Sequence, residues 1–501
     1  MEILNHLAEG YAVAVTLDNL FYAFVGCLLG TLVGVLPGLG PAASIAILLP
    51  FTFGLEPTSS LIMLAGIYYG AQYGGSVTAI LLNLPGETSA VVTTLDGYQL
   101  ARQGRGGLAL AIAALASFFA GTVATVVLAG FSLPLVEFAL KFQSPEYFAL
   151  MVFGLMGAAA IGTSSFVKTL SMISLGLLIG LAGIDLNSGT PRFTFGSPLL
   201  LDGIEFVALA VGLFALAEII VTLSEGEEGR SGMQRITSLL PRWREIREIF
   251  PATVRGSLIG IVTGILPGAG ASIASFISYA VEKRVAKNPD DFGKGALAGV
   301  AAPEAANNAA AQLAFAPTLA LGIPGSGTMA LILAALMIHG IQPGPDIIRS
   351  NPGMFWGLIV SMWIGNVILL IINLPMLRLW VKALMLPYRF LYPAILAFSL
   401  IGVYSVASST FMIFTAALFG LLGYLFYKLR CEPVPLVLGF VLGPMMEENF
   451  RRSLIISGGD FSIFVSHPIS LTLLCMSAAL VLFVLVSGAR RRRRVASAEG
   501  A

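Results

Sequence analysis

The chain has 501 residues, 57% hydrophobic and only 11% charged, with a formal net charge of +1. Soluble domains carry roughly a quarter charged residues, so an ordinary soluble protein is excluded, and the near-neutral balance offers nucleic acid nothing to hold. The three cysteines (Cys27, Cys431, Cys475) and three histidines (His6, His339, His467) are scattered without disulfide or zinc spacing, so the cysteines are read as packing residues.

The N-terminus carries Glu2 and Glu9 and no basic residue before its first apolar run, unlike a signal peptide. Residues 19–55, 57–86, 106–136, 305–345, 390–427 and 461–489 contain no Asp, Glu, Lys or Arg. A membrane-spanning helix needs about 20 mostly apolar residues, and these runs predict an all-α polytopic membrane protein with about 10–12 transmembrane segments. They are too long and too uniformly apolar for a transmembrane barrel.

The first apolar run is interrupted by "GVLPGLGPAAS", Gly34 to Ser44. Proline removes a backbone donor and glycine permits a tight turn, so Pro37-Gly38 ends a helix. The arms 19–36 and 41–55 leave two readings open, a re-entrant hairpin tip or a kink in a full crossing. "GLGPAA" also meets the GxGxxA dinucleotide pattern, but it sits in an apolar membrane run rather than a βαβ unit, and that reading is rejected. Next come Tyr68, Tyr69, Gln72, Tyr73, Ser76, Thr78 and Asn83, then a second break at Pro85-Gly86 and the polar Glu87-Thr88-Ser89. Gln72, Ser76 and Asn83 fall on one helical face; interhelical hydrogen bonding is the plain reading of the amides.

No Lys or Arg precedes Arg102, after which basic residues gather at Arg102 and Arg105, Arg230 to Arg247, Lys283 to Lys294, Lys428 and Arg430, and Arg490 to Arg494. The positive-inside rule makes these segments cytoplasmic, the acidic N-terminus outward-facing and the arginine run a topology anchor. Lys168, the main intramembrane cation, is read as snorkelling. Residues 223–250 are strongly polar and divide the chain: 1–222 a first membrane repeat, 223–250 a cytoplasmic linker, 251–486 a second membrane repeat, 487–501 a basic cytoplasmic tail. The linker's end, "RWREIREIF", alternates charge and apolar residues as an interfacial helix does.

The second half opens with "GILPGAGASIAS", Gly264 to Ser275, at an offset of 230 from the first phrase. "LGIPGS" answers "LNLPGE" at an offset of 239, and "GLLGYLF" answers "GLLIGLAG" at 244. Basic loops follow opposite members of the matched pairs, which predicts inverted-topology repeats with broken helices. The arms 253–265 and 271–281 each reach about halfway through the bilayer, so the second phrase is expected to form a re-entrant hairpin. "APEAANNAAAQ" places Glu304, Asn307, Asn308 and Gln312 after it, with Glu304, Asn308 and Gln312 on one face. An ionisable residue beside an apolar span is a functional candidate.

Backbone opened inside a membrane survives only within protein or beside an aqueous cavity, and matched breaks in two halves point to a transporter site. The candidate substrate contacts are Pro37, Gly38, Gly40, Ser44, Asn83 and Gly86 from the first half. Pro267, Gly268, Gly270, Ser272, Asn307, Asn308, Gly325, Ser326 and Thr328 come from the second. Glu304 is the coupling-ion candidate, with the tips Gly38 and Gly268. No GxxxxGK[ST] motif is present, which disfavours ATP drive, and no Ser/Lys, His/Asp or paired-Asp arrangement suggests an enzyme.

These phrases also carry a resemblance. The two Leu-Pro-Gly segments, "YYGAQYGGSVTAILLNLPGE", "PEAANNAA" and "LGIPGSGTMA" resemble the large membrane subunit of the tripartite tricarboxylate transporters. So do "PRFTFG" from Pro191, "LDGIEF", "GLFALAE" and the C-terminal "VPLVLGFVLGPMMEENFRRSLIISGGDFSIF" from Val434. The likeness implies a bacterial inner-membrane secondary importer of organic carboxylates, driven by a Na⁺ or H⁺ gradient. It implies a small membrane subunit and a periplasmic solute-binding protein as partners, a periplasmic N-terminus, and no cofactor beyond Na⁺. A tripartite dicarboxylate-type importer subunit and a channel are the alternatives.

Overall fold

The computed structural model describes residues 2–36, 40–83, 85–161, 165–185, 188–225, 241–266, 270–376, 379–380 and 388–499. Helix dominates, as uniform hydropathy without strand alternation requires; the strands among the described residues are β1 (Gly183–Ile184) and β2 (Pro191–Arg192), paired antiparallel with Gly183 opposite Arg192. Among the described residues, five helical stretches are long and apolar enough to cross a membrane: Leu17–Gly34, Thr88–Ala139, Phe206–Ser224, Pro352–Asn373 and Thr410–Lys428. Shorter apolar helices, Pro41–Thr52, Phe166–Gly180 and Gly327–Ile338, accompany them. Proline and glycine breaks cut several of the apolar runs into these shorter pieces.

As far as Asn373 the helices are, in chain order, α1 (Glu2–Ala14), α2 (Leu17–Gly34), α3 (Pro41–Thr52), α4 (Pro57–Leu82), α5 (Val91–Leu100), α6 (Gly106–Ala139), α7 (Ser144–Ile161) and α8 (Phe166–Gly180). Then come α9 (Phe206–Ala210) and α10 (Ala217–Glu225), joined by the π-helical Val211–Leu216, α11 (Trp243–Gly264), α12 (Gly270–Val285), α13 (Ala298–Leu313), α14 (Phe315–Leu321), α15 (Gly327–Ile338), α16 (Ile347–Ser350) and α17 (Pro352–Asn373). The chain forms two compact units: Met1–Val136 with Glu205–Leu425, and Glu137–Ile204 with Phe426–Ala501.

In the first unit two helix pairs are built alike. Cβ atoms added at Gly26, Gly30 and Gly34 of α2 would lie 2.3, 2.3 and 2.4 Å from the carbonyl oxygens of Met63, Ile67 and Ala71 on α4. Added at Gly256, Gly260 and Gly264 of α11, they would lie 2.3, 2.3 and 2.6 Å from those of Ala302, Ala306 and Ala310 on α13. Bare glycine stripes at every fourth residue let backbones meet, the packing that replaces hydrophobic drive in lipid. The glycine stripes are related by the offset of 230 and their acceptors by 239, the same offsets that relate the two kinds of break phrase.

The helix ends match too. Glu56 caps α4, its Oε2 accepting from the Thr58 and Ser59 amides at 3.0 and 3.3 Å, with Pro57 at the first helical position. α4 stops where Asn83 turns left-handed (φ 59°), and α14 stops at left-handed Gly322 (φ 69°). After each Pro-Gly the chain is extended, at Glu87 (φ −150°, ψ 166°) and Ser326 (φ −157°, ψ 168°), and helix resumes on the next residue. The third sequence match differs in packing: Gly176 lies on the Leu436 carbonyl, Gly420 against the Leu216 side chain.

The arms α11 and α12 flanking the phrase "GILPGAGASIAS" lie against each other. Arg255 of α11 reaches Glu282 of α12 with both ends of its guanidinium, at 2.8 and 2.7 Å. The first arm is longer than expected, because "RWREIREIF" is continuous with it: α11 runs for 22 residues, with Pro251 inside and Glu245 accepting from the Arg242 amide at 2.8 Å. An amphipathic start and an apolar continuation share one helical period, so nothing in the local sequence breaks them apart. Of the polar linker, residues 226–240 lie outside the described residues.

The second unit packs α8 against the helix Val434–Ile456. Gly176 and Gly180 approach the carbonyls of Leu436 and Phe440, and Gly439 approaches that of Ile173. Beside β1 and β2, Arg451 bonds Asp185 at 3.0 Å and Glu447 at 2.6 Å, and Arg192 bonds Glu447 at 2.7 Å. That last bond pushes the Arg192 guanidinium above its ordinary value. The Lys168 ammonium donates to the Leu429 carbonyl near the end of an apolar helix, as a snorkelling lysine does.

Candidate functional site

α4 and α13 are equivalent by sequence offset and meet each other in opposite directions. The Tyr69 hydroxyl donates to Gln312 Oε1 at 2.7 Å, and one helical stretch later Ser76 Oγ donates to the Glu304 carboxylate, 2.9 Å from each oxygen. As the number rises on one helix it falls on the other. The seam is lined by alanines and glycines that leave room for polar side chains between backbones.

Glu304 is 1% exposed and is reached by hydroxyls alone: Ser76, Thr93 Oγ1 at 2.6 Å and, more distantly, Ser117 Oγ at 3.4 Å. Asn308 completes the cage, donating to Ser117 Oγ at 2.6 Å and to the Glu304 carbonyl at 3.0 Å. Thr93 is positioned by α5, which Asp96 anchors one turn later. Asp96 Oδ1 accepts from the amides of Gly293, Gly295 and Ala296, each at 2.8 Å, and Oδ2 from the Tyr279 hydroxyl at 2.9 Å. Gly299 must be glycine here, since its Cβ would fall 2.2 Å from Asp96 Oδ2.

A second polar group gathers where the breaks meet. Asn307 Nδ2 donates to Glu87 Oε1 at 3.3 Å, Ser89 also donates to Glu87, and the Thr88 and Ser272 hydroxyls bond each other. Gly40 faces the Gly86 carbonyl, where an added Cβ would stand at 3.0 Å. Thus Gly40 meets Gly86, Asn307 meets the neighbouring Glu87, and Ser272 meets Thr88, joining the two halves. Among the described residues no Lys, Arg or His forms an ion pair with Glu87 or Glu304.

Other sequence candidates serve the backbone. Ser44 Oγ donates to the Gly40 carbonyl at 3.1 Å, Ser326 Oγ caps α15 by accepting from the Met329 amide at 3.2 Å, and Asn83 is an exposed helix stop. Gly325 is buried beside Ala314 and Leu266, Thr328 is half-buried, and Gly270 opens α12 with φ 55°. Pro37, Gly38, Pro267 and Gly268 lie outside the described residues.

One residue gains weight from the structure. Gln72, 1% exposed on α4, lies one turn from each rung of the seam. The Tyr68 hydroxyl is near it, yet neither amide atom has a partner in hydrogen-bond geometry among the described residues, and Asn307 Oδ1 is likewise unpartnered. Buried amides are normally satisfied, which makes these atoms candidates to meet another molecule. Its sequence signal, a glutamine in an apolar run, is shared with any interhelical hydrogen bond.

Matched broken helices around buried carboxylates and open amides define a polytopic membrane protein of the transporter class. The family model of the tripartite tricarboxylate transporter TctA family matches residues 20–438, and the chain belongs to that family. An Agrobacterium vitis relative described as an uncharacterized 52.8 kDa protein in the TAR-I ttuC' 3' region is 52% identical over 493 residues, covering 98% of each chain. An uncharacterized protein in the TAR-II ttuC' 3' region of the same organism is 52% identical over 234 residues, 47% of this chain and 97% of its own. No solved structure matches.

Proposed function

We propose that this chain is the translocating subunit of a secondary importer of organic carboxylates, taking its substrate from a periplasmic binding protein and working beside a small membrane subunit in the bacterial inner membrane. The observation that carries the reading is the junction of the two breaks, where Glu87 with Asn307 and Thr88 with Ser272 bring the halves together. The substrate lies there, its carboxylates met by open backbone amides, hydroxyls and the amides of Gln72, Asn307 and Asn308. Helix N-termini at such breaks favour anions.

An anion entering beside Glu87 and Glu304, neither of them paired with a basic side chain, meets like charge. A co-transported cation offsets it, which favours coupling to a Na⁺ or H⁺ gradient with Glu304 the carboxylate concerned. The repeats are inverted, N-terminus periplasmic and C-terminus cytoplasmic. Equivalent helices α4 and α13 running in opposite directions support this arrangement, since an in-plane two-fold axis reverses every element.

The test is uptake by proteoliposomes holding the full chain, its small subunit and the cognate binding protein, scanning labelled di- and tricarboxylates with and without a Na⁺ gradient. Saturable, binding-protein-dependent uptake that collapses without the cation gradient is the expected result. Gly268→Leu, inserted normally, lowers it by about a hundredfold, as misplacing a binding group does. Conduction without binding protein or gradient points to a channel instead.

A further inference from the structure

Among the described residues, the cage around Glu304 contains acceptors and hydroxyls and no cationic side chain. Its hydroxyls come from α4 (Ser76), α5 (Thr93) and α6 (Ser117), at 2.9, 2.6 and 3.4 Å from the carboxylate. A hydroxyl hydrogen rotates, so the oxygens that now donate to Glu304 can equally turn lone pairs to a cation. Beside the carboxylate lies a cavity of about 20 Å³ lined by Tyr73, Ser76, Glu304 and Asn373, among others. That is room for one water-sized occupant.

Asn373, at the end of α17, supplies the independent observation. It is 4% exposed, its Nδ2 donates to the Leu369 carbonyl at 2.9 Å, and its Oδ1 has no partner among the described residues. With the nitrogen committed along its own helix, the oxygen is left as a buried acceptor at the wall of a small cavity that also holds a carboxylate. Two acceptors facing one space cannot satisfy each other, and an anion there meets only like charge. A hard cation takes oxygen ligands, and divalent ions gather several carboxylates or keep several waters. One carboxylate, one hydroxyl and an amide oxygen around room for a single water-sized occupant suit a monovalent ion.

We infer that Glu304, Ser76 and Asn373 form a Na⁺ site, the ion seated in the cavity they line, with Thr93 and Ser117 bonding the same carboxylate. Na⁺ replaces the hydroxyl hydrogen bonds at the carboxylate and draws together α4, α5, α6, α13 and α17. Asn307 and Asn308 follow Glu304 by one turn on α13, so filling the site fixes the stretch of α13 that also bonds Glu87. Calling this ion the coupling ion rests on the transport reading above; its binding does not.

Equilibrium binding of ²²Na⁺ to the purified full chain in detergent, with no carboxylate present, tests the site. Saturable binding, undisturbed by equimolar K⁺, Ca²⁺ or choline, is the expected result. Glu304→Gln weakens it about tenfold or more, and Asn373→Leu, which leaves the hydroxyl cage intact, weakens it severalfold. If Glu304→Gln does not elute as a single helical species, Asn373→Leu decides alone. Absence of saturable Na⁺ binding across the neutral pH range, unaltered binding in either folded variant, or displacement by Ca²⁺ overturns the inference. Uptake by the same protein reconstituted into proteoliposomes with its small subunit and binding protein separates the two readings: carboxylate uptake without Na⁺ binding removes the site alone, and Na⁺ binding without carboxylate uptake removes the transport reading alone.

Discussion

Gln72 distinguishes a ligand-binding amide from a packing one. A buried amide without partners costs about 1–3 kcal/mol relative to a satisfied one, a cost that a bound carboxylate relieves and a leucine removes outright. Gln72→Leu is therefore expected to raise the thermal midpoint of the substrate-free protein, or leave it unchanged. It should raise the KM for uptake about tenfold, the equivalent of about 1.4 kcal/mol of lost binding. Thermal unfolding in detergent and uptake kinetics on the same preparation check both halves. A fall in stability with an unchanged KM would return Gln72 to the role of an interhelical strut. Asp96 is the opposite kind of buried residue. With three backbone amides and a tyrosine hydroxyl satisfying it, it has no spare valence for a ligand, and its role is to hold α5, and Thr93 with it, against the entry to α13.

At the scale of elements, the glycine stripes decide how closely the helices pack. Gly260 has its absent Cβ 2.3 Å from the Ala306 carbonyl, an atom fixed in the α13 backbone, so a side chain there must push two helices apart. Gly260→Leu is expected to cost about 1–3 kcal/mol or more, the range for an overpacked core. Gly54, with nothing within 4 Å of its added Cβ, tolerates alanine at near-zero cost. Thermal unfolding of the two variants side by side checks this, and equal midpoints would refute backbone contact at the stripe. Much of this level was legible in the sequence. The apolar runs marked the helices, the offsets marked the breaks, and Gly26, Gly30 and Gly34 against Gly256, Gly260 and Gly264 repeat the same spacing. The partners of Glu304 were not legible. Ser76, Thr93, Ser117 and Asn373 are ordinary polar residues scattered across four helices, and only tertiary packing converges them. Nor could local sequence reveal that the amphipathic end of the linker and the first hairpin arm are one helix, since both obey the same period.

For the whole molecule, the direction of the second half relative to the first decides how alternating access can work. Parallel repeats place the turn after α3 and the turn after α12 on the same side of the membrane, and inverted repeats place them on opposite sides. Charge already differs between the two: residues 50–57 hold no Lys or Arg, and residues 282–294 hold Lys283, Arg284, Lys287 and Lys294. By the positive-inside rule the second turn is expected in the cytoplasm and the first outside. Both turns offer exposed positions suited to a probe, Gly54 and Lys287. In a background lacking Cys27, Cys431 and Cys475, Gly54→Cys should react with an impermeant maleimide on intact spheroplasts. Lys287→Cys should react only after the membrane is opened. Labelling of both on intact spheroplasts would make the repeats parallel. It would leave the opposed register of Tyr69 with Gln312 and Ser76 with Glu304 as a local crossing, without an in-plane axis. Labelling of the first alone would make that register the molecular two-fold itself. The carboxylate site would then lie on the axis, equally distant from both faces, where a modest motion of one half suffices to change which side it opens to.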